Sequence, residues 1–63
     1  MKINPVKLII AMANKGLSIA TLAELSGISR ITLARFKSGT QKARPQTLGK
    51  LAKALDVKVE DLL

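Results

Sequence analysis

Apolar residues recur along the chain in five groups with three- and four-residue spacing, and each of the first three closes on a glycine. Such spacing marks one face of an amphipathic helix, so a chain of helices with short connections is predicted. The first group, Val6, Ile9, Ile10 and Ala13, follows Asn4-Pro5, a capping residue with a proline suited to the first helical position, and ends at Gly16. A helix over 5–15 is expected, with those four residues as its core-facing stripe. Leu17 and Ser18 then open a second helix, 19–26, in which Leu17 can pack on Leu22 as a hydrophobic staple.

Gly27 ends that helix, Ile28 bridges, and Ser29 caps the next, 30 to 37 or 38, which Gly39 closes. Two helices joined by three or four residues must cross steeply, as in a helix-turn-helix. The stretch from Gly39 to Arg44 is the longest loop, and Pro45 opens a fourth helix with Leu48, Leu51, Ala52 and Leu55 inside and Lys50 and Lys53 on its wet face. A turn at 56–58 and a short final helix, 59–63, anchored by Leu62, complete the pattern. No strand, repeat or low-complexity linker interrupts it.

Length allows one domain, residues 1–63, and one small core. The chain has no Cys and no His, which removes disulfides, the commonest zinc ligands, thiol nucleophiles and imidazole bases together. Of the four acids, Glu24, Asp56, Glu60 and Asp61, three crowd the C-terminus, a poor basis for a paired-carboxylate site. A non-enzymatic protein with no cofactor, metal or small-molecule ligand is expected. The uncharged apolar run 8–13 is far below the ~20 residues that span a bilayer, and Lys7 and Pro5 spoil its likeness to a signal peptide. The chain therefore reads as cytoplasmic, without a membrane role.

Charge changes the picture more. Eleven Lys and Arg against four acids give +7, and residues 1–55 carry +9 while residues 56–63 carry −2. A basic body points to a polyanionic partner, because neutralising phosphates releases condensed counterions. Composition alone also fits a small protein kept in solution by its charge.

Spacing within 19–36 is more specific. Ala23 must be small where the next helix crosses, Gly27 must turn the chain within three residues, and Leu22, Ile28, Leu33 and Phe36 fill the wedge between the helices. Together with Leu17-Ser18, with Leu22-Ala23-Glu24-Leu25-Ser26-Gly27-Ile28-Ser29-Arg30, and with Thr47-Leu48-Gly49-Lys50-Leu51-Ala52-Lys53-Ala54-Leu55-Asp56-Val57, this pattern resembles the phage Cro and repressor family, the xenobiotic-response-element type of helix-turn-helix regulators. The resemblance covers the chain from about Val6 to Leu63.

It implies an all-α, compact five-helix bundle of the lambda-repressor kind, with helices two and three as the helix-turn-helix and the third in the DNA major groove. Position by position, base reading then falls to Ser29, Arg30, Ile31 and Arg35, with Thr32 at the margin. Arg suits guanine O6 and N7, and Ile31 can meet a thymine methyl. Arg30, at the helix start, fits a phosphate as well as a base. Phosphate contacts fall to Ser18 and Ile19 at the start of helix two, to Thr40, Gln41, Lys42 and Arg44 in the loop, and to Lys37.

Three positions depart from the family's pattern. Ile19 stands where Gln is usual and removes a side-chain hydrogen bond to DNA. Lys37 stands where an acid is common, and Ala43 replaces a frequent Pro, which predicts a looser loop. The resemblance further implies a regulator, of phage or mobile-element type, that represses by occupying a pseudo-palindromic double-stranded operator as a homodimer in a bacterial or phage-infected cell, associated with the nucleoid. Val57, Val59 and Leu63 are candidates for the dimer contact or for closing the core. Ile19, Leu25 and Ile31 look too exposed for the core, either singly or as a protein-binding patch. A protein-interaction module on the same fold, antitoxin-like or anti-repressor, and a nonspecific basic binder stand as alternatives.

Overall fold

The computed structural model describes residues 1–63 as four α-helices, α1 (Pro5–Lys15), α2 (Ile19–Ser26), α3 (Arg30–Ser38) and α4 (Pro45–Leu55), followed by a 3-10 turn, η1 (Val59–Leu62). There is no strand. The expected fifth α-helix is thus one tight turn, too short to hold an α-helical hydrogen-bond ladder.

Local chemistry accounts for where each helix begins and stops. The Asn4 side chain accepts hydrogen bonds from the Val6 and Lys7 amides at 3.0 and 3.4 Å, and Pro5, which has no amide hydrogen to satisfy, follows it. Ser18 and Ser29 cap α2 and α3 in the same way through the Thr21 and Thr32 amides. Arg44 offers α4 no side-chain cap, so its start rests on Pro45. Asp56 ends α4 in the left-handed region, φ 55°, which Asp tolerates better than most residues.

Fourteen apolar residues form one core. Leu22 comes from α2, Leu33 and Phe36 from α3, and Leu48, Leu51, Ala52 and Leu55 from α4, as their spacing predicts. Helix α1 is a correction. It faces the core with Leu8, Ala11 and Met12, while Val6, Ile9 and Ile10 are 62%, 46% and 53% exposed and Ala13 is exposed too. Two apolar stripes run along this helix on opposite sides, and periodicity alone cannot choose between them.

Contacts outside the helices choose. Ile3, just before α1, is buried, and its neighbour Asn4 donates its amide to the Leu62 carbonyl at 2.8 Å. That bond lays η1 beside α1 and fixes which side of α1 is covered. Val57 and Val59 are half-buried against the core, Leu62 is fully buried, and Leu63 is exposed. Ile19 likewise leans on the core, so the expectation of an exposed Ile19 holds only in part, whereas Leu25 and Ile31 are 59% and 67% exposed.

Two glycines give opposite expectations. At Gly39 φ is +76°, and a Cβ would lie 3.2 Å from the Pro5 side chain, so Gly39→Ala should lower stability by about 1 kcal/mol or more. Gly49 sits mid-helix with nothing within 4 Å of an added Cβ, and Gly49→Ala should raise stability by ~0.5–1 kcal/mol. Urea unfolding of the two variants checks the sign of each.

Candidate nucleic-acid interface

The segment from α2 through α3 is assembled from a few enforced contacts. Helices α1 and α2 meet at 90°, and only Gly27–Ser29 separate α2 from α3. Gly27 holds φ +72° and donates its amide to the Ala23 carbonyl, closing α2. Ser26, buried, secures the turn from within. Its hydroxyl donates to the Leu22 carbonyl at 2.7 Å and accepts from the Ile28 amide at 3.2 Å. An amide left without a partner in the turn would otherwise be costly, and Ile28 can therefore bury its side chain in the wedge.

Only Leu33 and Phe36 of α3 are buried. Arg30, Ile31, Ala34 and Arg35 are exposed, and Thr32 is half-buried. The outer face is therefore a strip of two guanidinium groups with an apolar residue between them. Arg30 makes no side-chain hydrogen bond or ion pair within the chain, while the Arg35 Nη1 donates to Gln41 Oε1 at 3.5 Å, a long contact that leaves the guanidinium free to move.

The predicted residues fall into three groups. Ser29 and Thr32 are bound to each other, hydroxyl to hydroxyl at 2.9 Å, besides the cap, so their first task is to start α3. Ser18 is engaged likewise, with Thr21. Thr40 donates both its amide and its hydroxyl to the Arg35 carbonyl, which makes it a helix stop.

Lys42 and Arg44 rim a groove of about 350 Å³ whose lining includes Thr32, Phe36, Gln41 and Lys50. Lys50 is a cation that sequence reasoning assigned to a merely wet face. Nothing in its spacing distinguishes it from Lys53; the loop folding back over α4 is what brings it beside Lys42 and Arg44. Lys37 lies on the other flank of α3, beside Ile19, away from that groove. No acid lines the groove, and its rim is a cluster of cations suited to anionic oxygens.

The loop itself is better tied than its sequence suggests. Ala43 is buried, its amide donates to the Met1 carbonyl at 2.7 Å, and its carbonyl accepts from the Met1 ammonium at 2.8 Å. The expected looseness at this position is corrected: the paired bonds require the amide that a proline lacks.

A basic strip on a short helix flanked by a basic loop is the electrostatic footprint of a nucleic-acid-binding domain. Residues 7–63 match the Cro/C1-type HTH DNA-binding domain, and the chain belongs to that family. Among solved structures it is similar to the restriction-modification controller protein C.AhdI from Aeromonas hydrophila, with 34% identity, a TM-score of 0.87, and coverage of 94% of this chain and 89% of that one. It is also similar to an HTH_3 family transcriptional regulator from Vibrio cholerae, with 26% identity, a TM-score of 0.83, and coverage of 90% of this chain. This chain spans about a third of the Vibrio protein, 32%. No curated protein matches. No single helix is long and apolar enough to cross a membrane.

The Ala43 bonds yield a test of the loop's anchoring. Ala43→Pro should cost roughly 1 kcal/mol, since it removes the donor to the Met1 carbonyl and with it one of the two bonds that hold the loop. Urea midpoints measure it, with Lys42→Gln, exposed and unbonded, as the unaffected comparison.

Proposed function

We propose that the protein is a sequence-specific, non-enzymatic transcriptional regulator that occupies a double-stranded DNA operator inside the cell. In this reading α2 and α3 are the helix-turn-helix, and α3 enters the major groove. The observation that carries it is the outer face of α3, where Arg30, Ile31 and Arg35 are free of strong internal partners on a helix locked by Leu33, Phe36 and its two caps. Arg35 reads a guanine edge, Ile31 meets a thymine methyl, and Arg30 takes a base or the adjoining phosphate.

Ser29 and Thr32 contribute to base reading through hydroxyls already oriented by each other. Lys42, Arg44 and Gln41 hold the backbone on one side of α3, joined by Lys50. Ser18, Ile19 and Lys37 hold it on the other, where Ile19 supplies only its amide, as a helix N-terminus allows. Thr40 acts mainly by ending α3 and adds a hydroxyl at the loop.

Regulation follows from occupancy. The chain acts as a homodimer on a pseudo-palindrome with half-sites about one helical turn apart. Of the C-terminal candidates for the dimer contact, Leu63 is exposed, whereas Val57 and Val59 already lean on the core. A Cro-like repressor of phage or mobile-element type is one form of this reading. The similarity to a restriction-modification controller over nearly the full length of both chains favours a second form, a regulator serving such a system. Both use the same DNA face.

Selection of binding sites from random DNA tests the reading. A selected site should bind well above random sequence, with affinity for both falling steeply as salt rises. Arg35→Ala should weaken the selected site by ~1–3 kcal/mol and relax one base position, whereas Lys42→Ala should weaken all sequences alike and reduce the salt slope by about one. Equal affinity for selected and random DNA would remove the regulator assignment.

A further inference from the structure

Arg35 is the residue on which the loop after α3 converges. Its carbonyl accepts from the Thr40 amide at 3.0 Å, from the Thr40 hydroxyl at 3.3 Å and from the Ser38 hydroxyl at 3.0 Å, and those two hydroxyls meet at 2.9 Å. Further on, Ala43 is held to Met1 by its paired bonds. Gln41 lies between these two fixed points, half-buried, so the backbone that carries it has little room to move. Its side chain reaches back to the same Arg35, where Oε1 accepts from Nη1 at 3.5 Å.

We infer, on the reading of Arg35 as a base contact proposed above, that Gln41 is its positioning residue: the loop holds a carboxamide that aims the guanidinium before DNA arrives. A guanidinium only donates, so the oxygen end of the carboxamide must face Arg35, and the two Nε2 hydrogens are left for an anionic oxygen. Gln41 also lines the basic groove with Lys42, Arg44 and Lys50. One side chain thereby joins a base-reading residue to the loop's grip on the backbone.

The strength of the contact suits the role. At 3.5 Å and with an uncharged acceptor, the bond is readily exchanged for one to a base. The chain's one ion pair joins Lys15 to Asp56, so no acid holds Arg35. An exposed arginine otherwise explores many rotamers, and the freedom it loses on binding opposes affinity. A restraint present beforehand lowers that loss, and only for the geometry it favours. The consequence is sharper discrimination at the base pair Arg35 reads, and none at the positions assigned to Arg30 and Ile31.

Two measurements test this, one of them without DNA. In the free chain, Arg35→Ala should shift the side-chain amide signals of Gln41 in a nitrogen-proton NMR spectrum and leave in place those of Gln46, an exposed carboxamide on α4. With a selected site, Gln41→Ala should lower the preference at the base pair that Arg35→Ala relaxes by about 3-fold or more. In an Arg35→Ala background the same substitution should leave that preference unaltered. Gln41→Glu, whose carboxylate binds the guanidinium more firmly, should weaken the selected site more than random DNA.

Unmoved Gln41 signals overturn the inference. So does a Gln41→Ala loss that falls equally on all sequences, the mark of a phosphate contact alone, or one that persists undiminished without Arg35. A Gln41→Glu chain that binds the selected site as tightly as the original overturns it too. A chain that prefers no sequence at all removes the DNA reading instead, and the NMR shift, independent of DNA, still decides whether the loop holds Arg35.

Discussion

Helix α3 is fastened to the molecule by two side chains, Leu33 and Phe36, and by a capped turn at each end. A nine-residue helix is marginal by itself in water, so its stability is that of the wedge it fills with Leu22 and Ile28. That wedge closes only because Ser26 satisfies the turn's polar groups internally and Gly27 takes a left-handed conformation. The exposed face of α3 follows from this constraint. With its inner face reduced to two residues, α3 leaves its remaining surface to solvent, and that surface carries both guanidinium groups.

The loop after α3 is held by a different device. Residues 40–44 have no helix of their own, yet Thr40 is tied to the end of α3, Gln41 touches Arg35, and Ala43 exchanges two hydrogen bonds with Met1. The start of the chain thereby braces the loop that presents Lys42 and Arg44, while Asn4 a few residues later braces η1 through Leu62. In a chain too short for a second layer of structure, the N-terminal segment serves as the strap that larger domains build from extra elements.

Charge and apolar surface are divided between two sides. Seven of the eleven Lys and Arg lie on α3, its loop and α4, while three of the four acids, Asp56, Glu60 and Asp61, sit at or beside η1. Opposite charges interleaved evenly would have weakened the field that attracts a polyanion. Segregation instead leaves one strongly basic side and one neutral side, and the neutral side is where the uncovered apolar stripe lies.

The sequence by itself determined where the helices begin and end, because caps are local: Asn4-Pro5, Ser18, Ser29 and the three glycines act on amides and carbonyls within four residues. It also determined the wedge and the outer face of α3, where one stripe is apolar and the other is not. Only the tertiary structure decided which of two apolar stripes on α1 is buried, since both have helical spacing and the choice rests on Ile3 and the Asn4 to Leu62 bond. It alone brought Lys50 beside Lys42 and Arg44, and pinned Ala43 to Met1 across 42 residues of chain. Pairings at that separation depend on how the helices pack, and no local pattern encodes them.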